Sequence, residues 1–273
     1  MAPGTMGSSW FGAALRVCLG ALAYLLLPVL PVAVDCVFAP ADELVALREV
    51  RDGDTLILQD GRRVRLIGVN TPELARADAP AQPLAQEAKR FSERFLGNGG
   101  LELVFDQERY DRYGRLLAHV YNHRGESLES ALLSAGLAFH IAIAPNLTLA
   151  ECLSQREQRA RQRALGVWAP GAWPPLHAAE VGPGDGGFVL LLGRVQKAEY
   201  NRFLWLHLDG PVTLRLSNSG EYGQLTPSDW QGAKIEVRGW LVDRGTKYLS
   251  QNSHHKRWFI AVDSKFSLKI SRD

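Results

Sequence analysis

Cysteine is scarce in this sequence: three among 273 residues, beside two methionines and seven histidines. Two of those histidines, His254 and His255, are adjacent, with no other ligand types next to them. They read as loop residues, because a metal centre needs several side chains converging from separated positions. A dominant charge sign is lacking too. The formal net charge is +2, which by itself argues for no polyanionic partner. No internal repeat is visible by identity. What is present is a globular composition, 46% hydrophobic and 22% charged. The length suits one large or two modest domains.

The charge is unevenly spread. Residues 42–186 carry 17 Lys/Arg against 20 Asp/Glu, whereas 187–273 carry 13 against 8. The C-terminal third is therefore the basic part. Residues Val17 to Val34 form an uncharged and almost wholly apolar run preceded by Arg16. A positive flank, an apolar centre and then small residues describe a secretory signal. Ala39-Pro40-Ala41 offers a cleavage site of the A-x-A type. The run is also just long enough to span a bilayer, so a retained membrane anchor is the alternative; Pro28 and Pro31 favour the signal. Cys36 follows Val34-Asp35, not the small residues of a lipid-attachment site. The expectation is an exported protein, periplasmic or secreted.

Export bears on the cysteines. Cys18 lies inside the apolar run and leaves with it. Cys36 and Cys152 remain if cleavage falls before Cys36, and two cysteines in an oxidising compartment tend to pair. Such a bridge closes a long loop and adds about 4–5 kcal/mol in the chain-entropy model. Cleavage after Ala41 would instead discard Cys36 and leave Cys152 as a lone thiol. The reading favours the bridge, with cleavage nearer Ala33.

Residues 43–51, 54–59 and 62–69 read as strands joined by the turn signals Asp52-Gly53 and Asp60-Gly61. Pro83 opens a helix to Leu96, with Leu84, Ala88, Phe91 and Phe95 at helical spacing. Strands follow at 101–106 and 115–121, then a short helix from Ser127 to Ala135 stopped by Gly136. Thr148 to Glu151 reads as a capping box that opens an Arg-rich helix ending at Gly166. Five strands and three helices predict a small closed barrel of OB type over 42–169, in a mainly β, α+β chain. A breaker-rich linker occupies 170–187. Beyond it, 188–196, 202–209, 212–217, 233–242 and 258–263 read as strands of a second small barrel over 188–273, with residues 1–41 outside the fold.

The chemistry concentrates between Arg51 and Glu73. Asp54 closes the RDGD turn, and Asn70-Thr71-Pro72-Glu73 follows the third strand, so strand pairing brings both ends to one rim. Hard cations such as calcium take carboxylate, amide and carbonyl oxygens, and Asp54, the Asn70 amide and the Thr71 carbonyl supply these. Asp52 reads first as a turn former. Glu73, on a loop bent by Pro72, suits orienting or deprotonating a water. Arg65, alternating with Val64 and Leu66, and Arg115 in Asp111-Arg112-Tyr113-Gly114-Arg115 are two guanidiniums for one phosphate and its developing charge.

Val50 to Glu73, DRYGR at 111–115, LLSAGLAFH at 132–140 and EQRARQRALGVW at 157–168 together resemble the staphylococcal nuclease (thermonuclease) family, in its order and spacing. The resemblance covers about 44–169. It implies a five-stranded OB barrel with three helices and calcium-dependent hydrolysis of DNA and RNA phosphodiesters. By the same resemblance, Asp54, Asn70 and the Thr71 carbonyl are the metal ligands and Glu73 acts through water. Arg65 and Arg115 bind the scissile phosphate, Tyr113 lines the nucleotide pocket, and Asp52 is an acid near the metal. Two positions depart from the family pattern. Asn70 stands where its best-studied members have aspartate, which removes one negative charge and implies weaker metal affinity. Ile141 and Ile143 stand in the region where those members place tyrosines.

The second barrel interleaves aromatics with basic residues at 200–206 and 237–240, and weakly resembles an OB-type nucleic-acid-binding domain. The same alternation also suits a barrel core. DNA or RNA is the expected partner, with no stable protein partner implied. The alternatives are a non-catalytic nucleic-acid-binding module and a membrane-tethered interaction protein.

Overall fold

The computed structural model describes Met1, Cys36 and residues 40–77, 79–217, 225–245 and 256–271. The apolar run, Ala39 and the pair His254-His255 lie outside the described residues.

The first barrel begins with β1 (Glu43–Asp52), β2 (Thr55–Leu58) and β3 (Arg63–Leu66), followed by the two-residue β4 (Val69–Asn70). Helix α1 (Ala85–Leu96) precedes β5 (Gly100–Val104) and β6 (Leu116–Tyr121). Helix α2 (Leu128–Ser134), the short β7 (Phe139–His140) and helix α3 (Ala150–Gln162) complete it. The strands close in the order β1-β2-β3-β6-β5, with β3 and β6 parallel and the other pairs antiparallel.

Alternate strand residues fill the interior: Leu56, Leu58, Val64, Leu66, Leu101, Leu103, Ala118 and Val120 are buried with Leu128, Leu132 and Leu133 of α2 and Leu153 of α3. Each such leucine or valine side chain taken out of water stabilises the fold by about 1.5–3 kcal/mol before entropic costs. Cys36 is buried against this core and is bonded to Cys152 of α3, closing a loop of sequence separation 116.

Two helix starts differ from expectation. Pro83 lies ahead of α1, and Leu84 at φ 66° turns the chain into it. Thr148 caps nothing: its hydroxyl and N–H both donate to Asp106, and α3 starts at Ala150. A side chain offered a carboxylate across the loop bonds there in preference to its own helix. At its far end α3 stops at Gln162, not Gly166, because Ala164 already has a left-handed backbone.

The second barrel comprises β8 (Leu176–His177), β9 (Gly187–Asn201), β10 (Phe203–Leu208), β11 (Val212–Leu216), the one-turn α4 (Pro227–Trp230), β12 (Lys234–Asp243), β13 (Trp258–Val262) and β14 (Leu268–Ser271). Strands β9-β10-β11-β13-β12 close on themselves, with β11 and β13 parallel, and β8 and β14 flank the ring. Numbered within each barrel, both share the order 1-2-3-5-4 with strands 3 and 5 parallel. Residues 170–187 pack as they cross between them: β8 pairs with β9, and Ala178 and Val181 are buried in the second core.

The barrels meet through side chains. Phe139, Ile141 and Val167 of the first pack with Phe188 of the second, flanked by Trp168 and Trp173. Beside this cluster Glu157 of α3 accepts from Arg238 of β12, both buried, and Arg161 grips Glu236 with both terminal nitrogens.

Candidate active site

The RDGD turn joins β1 to β2 and comes against Thr71. Gly53 is required there, because a Cβ would stand 2.7–2.8 Å from three side-chain atoms of Thr71. Ser92 of α1 donates to the Gly53 carbonyl at 2.8 Å and fixes the turn to the helix. Asp54 is buried. Its Oδ2 accepts from the Thr71 N–H at 2.7 Å and the Thr71 hydroxyl at 3.0 Å. Its Oδ1 accepts from the Thr55 hydroxyl at 3.2 Å and meets Arg65 Nε at 3.2 Å. The two chain segments carrying Asp54 and Thr71 are thus joined at one rim of the barrel.

Arg65 lies within that rim, buried although it alternates with core residues. Its Nη1 donates to the carbonyls of Leu66 and Val69, each at 2.7 Å, and its Nη2 to the Asn70 amide oxygen at 3.0 Å. Three of the five guanidinium donors are therefore committed to hydrogen bonds, and Nε faces the Asp54 carboxylate. Asn70 is held from behind as well, since β4 pairs antiparallel with β7, Asn70 opposite Phe139.

Asp52 caps the turn by accepting from the Asp54 N–H at 3.1 Å. Burial, then the neighbouring Asp54 charge, push its carboxyl up to about 6. The oxygens at this rim suit a hard cation in type: two neighbouring carboxylates, one raised by burial and then by the other's charge, with an amide oxygen alongside. They are poor in charge. Among the described residues no three acidic, histidine or cysteine side chains gather in a metal-binding group.

Glu73 is exposed. Its backbone is clamped to Gln82, whose side chain accepts from the Glu73 N–H at 2.7 Å while the Gln82 N–H donates to the Glu73 carbonyl at 2.9 Å. Its carboxylate pairs with Arg76. An exposed ion pair of this kind is weak and yields readily to another partner.

Arg115 is positioned by Asp111. The Asp111 carboxylate accepts from the N–H groups of Tyr113 (2.8 Å) and Arg115 (3.0 Å) and from Arg115 Nε (2.7 Å). Burial raises the Asp111 carboxyl, but these donors together outweigh it and hold the group below its ordinary value. Arg65 is registered with Leu117 across the β3–β6 pair, and Arg115 lies two residues earlier on the same face. Strand spacing of about 4.8 Å and a rise of about 3.3 Å per residue set the two Cα atoms roughly 8 Å apart. Tyr113 is exposed beside them, with the Arg112 and Arg115 guanidiniums 4.8 and 5.6 Å from its ring centroid.

Asp54, Arg65, Asn70 and Thr71 are therefore in direct contact, with Asp52 adjoining. Glu73 and Arg115 are tied to separate local partners. Of the two isoleucines, Ile141 is buried in the cluster between the barrels and Ile143 is exposed. Sequence reasoning misses Thr55, Arg76 and Gln82, and the positioning role of Asp111. The four-residue spacing from Asp111 to Arg115 and the three-residue spacing from Glu73 to Arg76 are the available signals; nothing marks Gln82.

The family model described as staphylococcal nuclease homologue matches residues 63–170. The thermonuclease of Staphylococcus hyicus is 37% identical over 44% of this chain and 72% of its own. The thermonuclease of Staphylococcus intermedius is 36% identical, covering 46% of this chain and 76% of its own. Endonuclease YncB of Bacillus subtilis is 35% identical over 46% of this chain and 61% of its own. The family match ends before β8, so the second barrel stands outside it.

Proposed function

This chain belongs to the staphylococcal nuclease family, and we propose that it is an exported, calcium-dependent nuclease that hydrolyses phosphodiester bonds in DNA or RNA. The observation that carries the reading is Arg65, buried among the oxygens of Asp54 and Asn70 beside Thr71. It brings phosphate-binding and cation-binding groups together at one barrel rim.

Asp54, the Asn70 amide oxygen and the Thr71 carbonyl would hold the calcium ion, with Asp52 lending charge. When bound, the ion supplies positive charge to the scissile phosphate and favours ionisation of a nearby water. Arg65 offers its remaining Nη2 donor to a phosphate oxygen. Arg115 offers its terminal nitrogens, since Asp111 engages its Nε. Two guanidiniums on one phosphate neutralise charge that grows in the five-coordinate transition state. Glu73 leaves Arg76 and takes, or directs, the proton of the attacking water. Tyr113 lines the nucleotide beside the phosphate.

The export reading is supported by the Cys36–Cys152 disulfide, because such bonds persist in oxidising compartments. Cleavage then falls before Cys36, and N-terminal sequencing of the mature protein separates this from a retained anchor. A module that binds nucleic acid without cutting is the second reading; Asn70, a neutral ligand already accepting from Arg65, favours it. Steady-state kinetics on DNA test the roles. Glu73→Ser and Arg115→Ala should each lower kcat by about 100-fold or more, with melting temperatures unchanged. Near wild-type turnover in both would refute these assignments.

A further inference from the structure

We infer that the outer face of β10, β11 and β13 is a second nucleic-acid site, a stacking platform for the unpaired bases of a single strand. Along these strands Leu204, Leu206, Leu214, Leu216, Ile260 and Val262 fill the barrel. The residues between them face away from the barrel interior; His207 and Thr213 are covered, and Trp205, Arg215 and Phe259, aromatic or cationic where small polar groups would serve solubility, are half-buried. Phe203 joins them. Trp205 lies directly opposite Arg215 in the β10–β11 pair, and Phe259 opposite Thr213 in the β11–β13 pair. The Trp205 and Phe259 ring centroids are 6.2 Å apart. None of these aromatics belongs to either barrel core or to the cluster between the barrels.

The cations of this face lie on the rings. The Arg244 guanidinium is 3.6 Å from the Phe259 centroid, and that of Arg215 is 5.0 Å from Phe203 and 5.6 Å from Phe259. Arg202 stands 5.5 Å from Phe203. A guanidinium near a ring keeps N–H groups for phosphate and can offer its own plane for a base to stack on. Among the described residues carboxylates are few here: Asp263 lies 3.9 Å from Arg215, and Glu199 is bound to Lys197 and His207. Position agrees with composition. β10 and β11 are the second and third strands of this barrel, the face on which OB-type barrels bind oligonucleotides. Aromatics interleaved with arginines on that face suit a sequence-tolerant single strand, each base stacking through its π-face.

The test is fluorescence anisotropy of labelled oligonucleotides of about 12 nucleotides, within the ~4–16 that one such barrel covers. The full chain is used in EDTA, so that no turnover is required and failure of the nuclease reading leaves the result interpretable. Single strands should bind more tightly than the duplex, with separate DNA and RNA arms showing which sugar is preferred. Trp205→Ala and Phe259→Ala should each weaken binding by roughly 5- to 100-fold. If either ring variant fails to fold by circular dichroism, Arg215→Glu and Arg244→Glu, both half-buried on this face, should weaken binding comparably. Equal affinity for single strand and duplex would overturn the proposal. So would binding unchanged in the platform variants, or a face that takes anionic lipid vesicles in preference to oligonucleotide.

Discussion

Arg65 donates to Asn70 and to two backbone carbonyls and forms an ion pair with Asp54, so its charge stands among oxygens that the proposed calcium ion would share. Cation affinity then depends on how much negative charge opposes Arg65. Asp52, pushed up to about 6 by burial and by Asp54, is neutral below that pH and charged above it. A cation favours the charged form. Calcium affinity should therefore rise as pH increases through about 6, with a proton released on binding. Calorimetry between pH 5 and 7.5 checks this, and Asp52→Asn should flatten the dependence. Restoring a charge by Asn70→Asp should tighten calcium several-fold at every pH in the same titration. Unchanged affinity in Asn70→Asp would mean that this side chain is no ligand.

At the scale of elements, the turn carrying Arg115 is organised by one carboxylate that takes three hydrogen bonds. Asp111→Ala should leave the barrel folded but free the guanidinium. Catalytic groups displaced by about 1 Å can lose on the order of 100-fold, and single-turnover cleavage by Asp111→Ala should fall in that direction. Rates equal to wild type would show that the strand alone places Arg115. The barrel itself is legible in the sequence because hairpin glycines and alternating apolar residues repeat over each strand pair. The RDGD turn and Asn70-Thr71 are legible for the same reason: strand pairing brings them to one rim. Gln82 and Arg76 are not, because their partner, Glu73, lies on a loop whose path no periodicity encodes. Thr148 misleads because its cap sequence is local while its partner, Asp106, is 42 residues away. Ile141 looks like a lost stacking residue, but the second barrel gives it a packing role that no local pattern reveals.

Across the whole molecule, the second barrel braces the first behind the site. Asn70 pairs with Phe139, and Phe139 packs on Phe188 of the second barrel at 5.3 Å between ring centroids. Next to it the Glu157 carboxylate accepts both from the His140 N–H and from Arg238. Arg238→Ala would leave Glu157 buried without its cation, a change that costs about 3–5 kcal/mol. Urea unfolding should show this loss for the full chain, whereas a change below about 1 kcal/mol would mean that water compensates the pair. This brace lies across a segment that reads as a linker in sequence, since the contacts joining the barrels come from residues far apart along the chain. The proposed chemistry rests most directly on cleavage of DNA and RNA by the purified protein across a calcium series, with EDTA as the closing arm. Cleavage that rises with calcium and stops on chelation is the predicted result; no cleavage at any calcium concentration, or cleavage indifferent to EDTA, would contradict it.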